Sequence, residues 1–346
     1  MYRHDGQDVF VIDGHAHLWD ARSNNWRNKY GESWIKCFFQ YHSGFSPANE
    51  VWPFEKFCYY GEDAIIDDLF RNGYVDVAIL NSTYLFEFYK NGFNTHAQNA
   101  LIKRKYPERF LLCGSFDPRD EQSGLDTFRQ MMSDYPISGL KLYTAEWRGA
   151  SRGWRLNDPW AYKYFELAQK MGIKNVHVHK GPTVYPLNID AFDVRDVDHA
   201  ATDFPDLNFI VEHVGLPRLD DFCWIAVQES NVYAGLSVAM AFVHLRPRYF
   251  GEILANLLFY LGPDKLCFGS DYAIWSPKWL VDKFMAYEMP EDLKQEYHVD
   301  LTPEIKRKIL GENAARLYGI DIAKKAEKLG QDPIGQELAS LARGKQ

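Results

Sequence analysis

The chain has 346 residues, 46% of them apolar, and a formal charge of −8, enough for one large α/β domain or two ordinary ones. An acidic chain without a basic cluster argues against a nucleic-acid binder. No apolar run is long enough to span a bilayer, and Met1-Tyr2-Arg3-His4-Asp5 lacks the core of a secretion signal. Five scattered cysteines (Cys37, Cys58, Cys113, Cys223, Cys267) without CxxC spacing fit reduced thiols, so a cytoplasmic setting is expected.

The first element is an apolar run, Val9-Phe10-Val11-Ile12, that leads into Asp13-Gly14-His15-Ala16-His17. On a strand, alternate side chains share a face, so His15 and His17 converge at its exit, as half of a transition-metal site. Residues 19–60 follow with little periodicity but many aromatics, among them Trp19, Trp26, Trp34, Phe38, Trp52 and Phe54. A loop so long and so aromatic reads as a folded insertion that covers something. The chain holds 10 Trp, 21 Tyr and 23 Phe, and their crowding into loops suits a binding pocket.

From there the pattern alternates. Helices are expected over 62–72, 95–106, 123–135, 158–171, 193–204, 217–229, 246–261 and 277–287, and strands over 74–80, 109–115, 137–143, 173–179, 207–213, 231–236 and 265–270. With the opening strand this makes eight β/α units, the count of a TIM (β/α)8 barrel. A doubly wound open sheet is the alternative, but it wants a Gly-rich phosphate turn after the first strand, and there is none. The barrel is assigned residues 1–320. A helical segment from Pro303 places Ile305, Ile309, Ala314 and Leu317 on one face, and 321–346 is a charged helical tail, read as a frayed terminus rather than a docking helix for a partner subunit.

Chemistry in such a barrel sits where strands exit. Those ends carry His15 and His17 (strand one), His179 (five), His213 (six) and Asp271 (eight), all good ligands for a divalent metal. A lone histidine at a strand end is more often a satisfied polar residue, and Asp271 beside Ser270 also reads as a helix cap. Five such residues on one rim outweigh those readings.

The ordered pieces Ile12-Asp13-Gly14-His15-Ala16-His17, Gly139-Leu140-Lys141-Leu142, Val176-His177-Val178-His179, Ile210-Val211-Glu212-His213-Val214-Gly215, Phe268-Gly269-Ser270-Asp271-Tyr272 and Gly311-Glu312-Asn313-Ala314-Ala315-Arg316-Leu317 resemble the amidohydrolase superfamily. The closer resemblance is to the branch that includes aminocarboxymuconate-semialdehyde decarboxylase. It implies that His15, His17, His179 and Asp271 bind metal, and that His213 binds a second metal or polarises the substrate. Zinc is expected for one ion, iron or manganese for two. Asp271 and His213 would also be the catalytic pair, moving a proton and steadying an oxyanion. Lys141 stands where binuclear members carry a bridging carbamylated lysine, and is otherwise a lysine paired with a carboxylate or one pointing away. Glu146 is a second candidate bridge, and His177 either supports a ligand or fills the barrel.

Arg148, Arg152 and Arg155, beside Trp147 and Trp154, suit a carboxylate-bearing substrate as well as they suit solvent. His244 and Trp275 are candidate pocket walls, or packing in a lid. The function expected is that of a metal-dependent hydrolase or non-oxidative decarboxylase (a lyase) on a small carboxylate-bearing molecule. The alternative, through resemblance to the hydroxylase of 2-aminoisobutyrate, is a dinuclear iron or manganese oxygenase. A homo- or hetero-oligomer, a small-molecule substrate, and no nucleic-acid or membrane partner are expected.

Overall fold

Short runs rich in Val, Ile and Leu cannot expose either face, and they come together as one parallel sheet. A computed structural model of the protein describes residues 1–4 and 6–343. Its barrel strands are β1 (Ile12–Ala16), β2 (Val77–Leu80), β3 (Phe110–Gly114), β4 (Ile137–Leu142), β5 (Asn175–His179), β6 (Asn208–Glu212), β7 (Val232–Gly235) and β8 (Leu266–Cys267). Each pairs in parallel with the next in sequence, so the order is β1 to β8. The two ends meet through the Gly14 amide on the Phe268 carbonyl (3.0 Å) and the His17 amide on the Tyr272 carbonyl (2.6 Å). Asp13 fastens the same seam, accepting from the Ser270 amide (2.9 Å) and the Ser270 hydroxyl (2.5 Å). The molecule is a TIM (β/α)8 barrel, not the doubly wound sheet.

The longer helices are α1 (Lys29–Phe45), α2 (Glu62–Ile65, widening into a π-helical turn over Ile66–Arg71), α3 (His96–Lys105), α4 (Glu121–Asp134), α5 (Pro159–Lys170), α6 (Asp196–Asp203), α7 (Leu219–Gln228), α8 (Pro247–Leu261), α9 (Pro277–Ala286), α10 (Ile322–Gln331) and α11 (Pro333–Arg343). Their starts follow local chemistry. Thr95 and Gln98 form a reciprocal capping box for α3, and Asp158 caps α5 ahead of Pro159. No helix among the described residues is long and apolar enough to cross a membrane.

The insertion after β1 is a folded unit. Trp19–Asp20 pairs antiparallel with Tyr59–Tyr60 at its base, and α1 lies between. Trp19 is buried, donates its indole N–H to the Phe57 carbonyl (2.7 Å), and packs its ring on Phe38, Phe57, Tyr60 and Phe93. His42 ties α1 to the loop after β8: its Nδ1 lies 2.5 Å from the Ile274 carbonyl, and its Nε2 accepts from the Trp52 amide at 2.8 Å.

The expectation of a frayed tail is not met over the described residues; positions 344–346 lie outside them. Leu329 packs with Phe10, Ile12, Val77, Ile79 and Cys113 beneath the barrel, and Ile334 is buried. Ile309 and Ala314 of the preceding segment are buried as read from the pattern, while Ile305 and Leu317 are only half-buried. The Arg109 guanidinium grips Asp332 with two nitrogens (2.5 and 2.9 Å) and donates to the Leu329 carbonyl (3.1 Å). Charge, the feature that made the tail look solvated, is what docks it. Asp332→Ala leaves a nearly buried guanidinium unpaired. It is expected to lower the unfolding free energy by about 3 kcal/mol in urea titration; an undocked tail would give no change.

Candidate metal centre

Each candidate ligand reaches the C-terminal mouth of the barrel by a different local device. His15 lies on β1 and His17 just beyond it, with the two-residue spacing that points both inward. His213 and Asp271 follow β6 and β8 in left-handed backbone, at φ 65° and 56°. Non-glycine residues hold that conformation at a cost of about 1–3 kcal/mol, and do so where the surroundings insist. Gly181 leaves the room: a Cβ there would stand 2.5 Å from that of His213.

Three side chains converge. His15 Nε2 and His17 Nε2 lie 3.4 and 3.5 Å from Asp271 Oδ1, and their three ligand atoms all fall within 4.8 Å of one another. Ligands on bonds of about 2.1 Å at tetrahedral angles stand roughly 3.4 Å apart, so the spacing suits a zinc-sized ion. Each far nitrogen faces an oxygen. His17 Nδ1 is 2.8 Å from the Asn81 carbonyl, and His15 Nδ1 is 2.9 Å from Glu212 Oε2, an ion-pair contact whose angle falls short of a hydrogen bond. A proton on Nδ1 of each ring, toward those oxygens, leaves both Nε2 lone pairs facing the centre. Burial pushes His15 down to about 3, which keeps it a neutral ligand. Burial alone would raise Asp271, but His15, His17 and His213 hold it well below the usual carboxylate range.

The other expected ligands are placed beside this cluster. His213 Nε2 is 3.0 Å from His179 Nδ1, and the pair is anchored by the Ser237 carbonyl at 3.1 Å and the Pro182 carbonyl at 3.3 Å. His179 still lines the same cavity, while His213 Nδ1 comes no nearer to Asp271 than 3.9 Å from Oδ2. Lys141 is fully buried and points inward, its Nζ 3.3 Å from His15 Nε2. Among the described residues no carboxylate lies within ion-pair distance of it. Burial lowers its pKa. His177 sits deeper and touches no candidate ligand directly.

Five expected site residues lie elsewhere. Glu146 turns away from the ligands into a neighbouring cavity of about 860 Å³, where it accepts from the Phe86 amide at 3.3 Å; burial there raises its carboxyl to about 8. Arg148 pairs with Asp120, and Arg152 lies on the Trp147 ring 3.8 Å from its centre. An acidic residue from the loop after β3 captures Arg148, and an aromatic one from its own loop captures Arg152. His244 packs beside Trp279, outside the metal cavity. Trp275 is buried against Phe45 of the insertion, as packing rather than as a wall.

The cavity over the cluster measures about 30 Å³, room for a water or two. Trp34 and Phe38 of α1, with Phe93, Tyr143 and Val184, close it. The sequence reading missed Glu212, although it stands beside His213 at the end of an otherwise apolar strand. It also missed Trp34 as a wall, and Asn81. Glu212 has its own space: a Cβ on Gly235 would stand 2.3 Å from its Oε2.

His15→Ala and Asp271→Ala are expected to lose more than about 100-fold in zinc affinity. Glu146→Gln and Arg148→Ala should keep it, as read by elemental analysis after dialysis against a zinc buffer.

The amidohydrolase family model matches residues 12–320. Comparison with curated proteins returns no match. Among solved structures, an uncharacterised TIM-barrel protein from Bordetella bronchiseptica superposes with a TM-score of 0.66 at 18% identity, covering 90% of this chain and 99% of that one. An amidohydrolase from Burkholderia multivorans with bound zinc gives 0.59 at 16% identity, over 90% and 99%. A 5-carboxyvanillate decarboxylase from Novosphingobium aromaticivorans with bound manganese gives 0.55 at 14%, over 90% and 97%. At these identities the likeness is one of fold. The family match spans most of the chain, and the chain belongs to the amidohydrolase family.

Proposed function

We propose that the chain is a metal-dependent enzyme acting on a small organic carboxylate, with non-oxidative decarboxylation as its reaction and hydrolysis as the second reading. The observation that carries this is an apolar cover over a charged cluster: Trp34, Phe38 and Phe93 close on His15, His17 and Asp271. A carboxylate drawn into so dry a space loses its hydration. Its localised charge is then better dispersed by departure of CO2, which a low-dielectric pocket favours.

A divalent ion, zinc or manganese, held by His15, His17 and Asp271 would supply a Lewis acid for the carboxylate or an acidified water. Asp271, ionised at neutral pH, takes a proton at Oδ2 from a substrate hydroxyl or a water and returns it to the carbon as the C–C bond to CO2 breaks. In the hydrolytic reading the same oxygen takes a proton from water. His213, 3.9 Å from that oxygen, steadies the charge that develops. The Trp34 indole N–H is buried without a partner, and we assign it to a substrate oxygen.

The dinuclear oxygenase finds no support. Among the described residues one His–His–Asp cluster forms, and Glu146, the carboxylate expected to bridge, opens onto another cavity. The cytoplasmic setting and the oligomer stay within the proposal; exposed Trp224, Val227 and Phe259 supply an apolar face for assembly.

Zinc- or manganese-loaded protein incubated with carboxylated phenols is expected to release CO2. Asp271→Asn should slow release by at least about 100-fold, and Trp34→Phe should raise KM more than it lowers kcat. Turnover of lactones or amides without CO2 would move the assignment to hydrolysis. Consumption of oxygen would overturn both readings.

A further inference from the structure

A polar chain runs from the candidate metal centre down through the barrel to its opposite end. Glu212, 1% exposed, is its hub: Oε2 lies 2.9 Å from His15 Nδ1 and accepts from the Ser237 hydroxyl at 2.8 Å, while Oε1 lies 2.5 Å from His177 Nδ1. The other nitrogen of His177, Nε2, is 2.7 Å from the hydroxyl of Tyr318, which belongs to the C-terminal segment. That segment is held by the Asn175 side chain, which donates to the Leu317 carbonyl at 2.9 Å.

An ionised carboxylate only accepts, so His177 must present Nδ1–H to Oε1. A proton on His15 Nδ1 is the tautomer that the charge of Oε2, 2.9 Å away, favours. His177 Nε2 is then a lone pair, and Tyr318 donates its O–H to it. The contacts therefore converge on Glu212 from both sides, and the His15 Nε2 lone pair faces the centre, with Lys141 Nζ 3.3 Å from it. Were His177 to carry its proton on Nε2 instead, its Nδ1 lone pair would face Oε1 at 2.5 Å, and the carboxylate would have to turn.

We propose that Tyr318 is a positioning residue for the metal centre. Through His177 it fixes the carboxylate that orients His15. This rests on the reading of His15, His17 and Asp271 as metal ligands.

The test is zinc affinity, measured by competition with a chromogenic chelator on wild type, Tyr318→Phe, Glu212→Gln and Asp332→Ala. Tyr318→Phe keeps the ring and removes the donor; an affinity loss of about 10-fold is expected, with up to about 100-fold for Glu212→Gln. Asp332→Ala loosens the two helices that follow Tyr318, α10 and α11, without touching the chain, and should stay within about 2-fold of wild type. Wild-type affinity in Tyr318→Phe, or an equal loss in Asp332→Ala, would overturn the role of Tyr318 and leave the metal site standing. Wild-type protein that binds no zinc would overturn the metal site and this role together. Should Glu212→Gln fail to fold, the comparison of Tyr318→Phe with Asp332→Ala decides alone.

Discussion

A carboxylate inside a barrel must be given donors or give up its charge, and the centre of this molecule is arranged around meeting that demand. Burial alone would raise Glu212, yet His15 and His177 hold it well below the usual range. The His177 imidazole and the Ser237 hydroxyl donate to it and the His15 ring faces it at 2.9 Å, with no guanidinium or ammonium among its ion pairs over the described residues. That choice has a structural consequence. An imidazole that donates from one nitrogen offers a lone pair from the other, so satisfying Glu212 readies His15 for a metal. Removing the charge would disturb the interior and the mouth of the barrel at once.

The mouth is built by a second constraint, that strand geometry alone delivers few ligands to one point. Spacing on β1 brings in His15 and His17 without strain. His213 and Asp271 need left-handed backbone to turn inward, and Asp13 holds the seam between β1 and β8 beneath them. Burial pushes the Asp13 carboxyl up to about 7 against the donors it accepts from. The insertion then closes the space. Its aromatics pack mainly on one another, and His42 pins α1 to the loop that carries Asp271. Anything larger than a water or two reaches the cluster only if Trp34 or Phe38 moves.

Much of this was legible in the chain. The eight-fold alternation gave the barrel because each run was short, apolar and bounded by a Gly, Pro or capping signal, all local properties. His15, His17 and Asp271 were legible because strand-end positions are set by that same alternation. Glu146, Arg148 and Arg152 were misplaced for a physical reason. Their side chains leave the loop after β4, and nearby partners such as Asp120 and the Trp147 ring decide where they go. Glu212 and Tyr318 escaped notice because their contacts span the barrel, from β6 to β5 and on to the C-terminal segment, and no local pattern announces such a link. The charged tail misled because a charge that finds one buried partner, as Arg109 does in Asp332, docks a helix rather than solvating it.

The central claim is that three named atoms hold one ion. Anomalous scattering from zinc-soaked crystals, collected on both sides of the zinc edge, tests it most directly. The account predicts a single strong peak about 2.1 Å from His15 Nε2, His17 Nε2 and Asp271 Oδ1. A peak held by His179 and His213 without those atoms, or no peak within the barrel mouth, would contradict it.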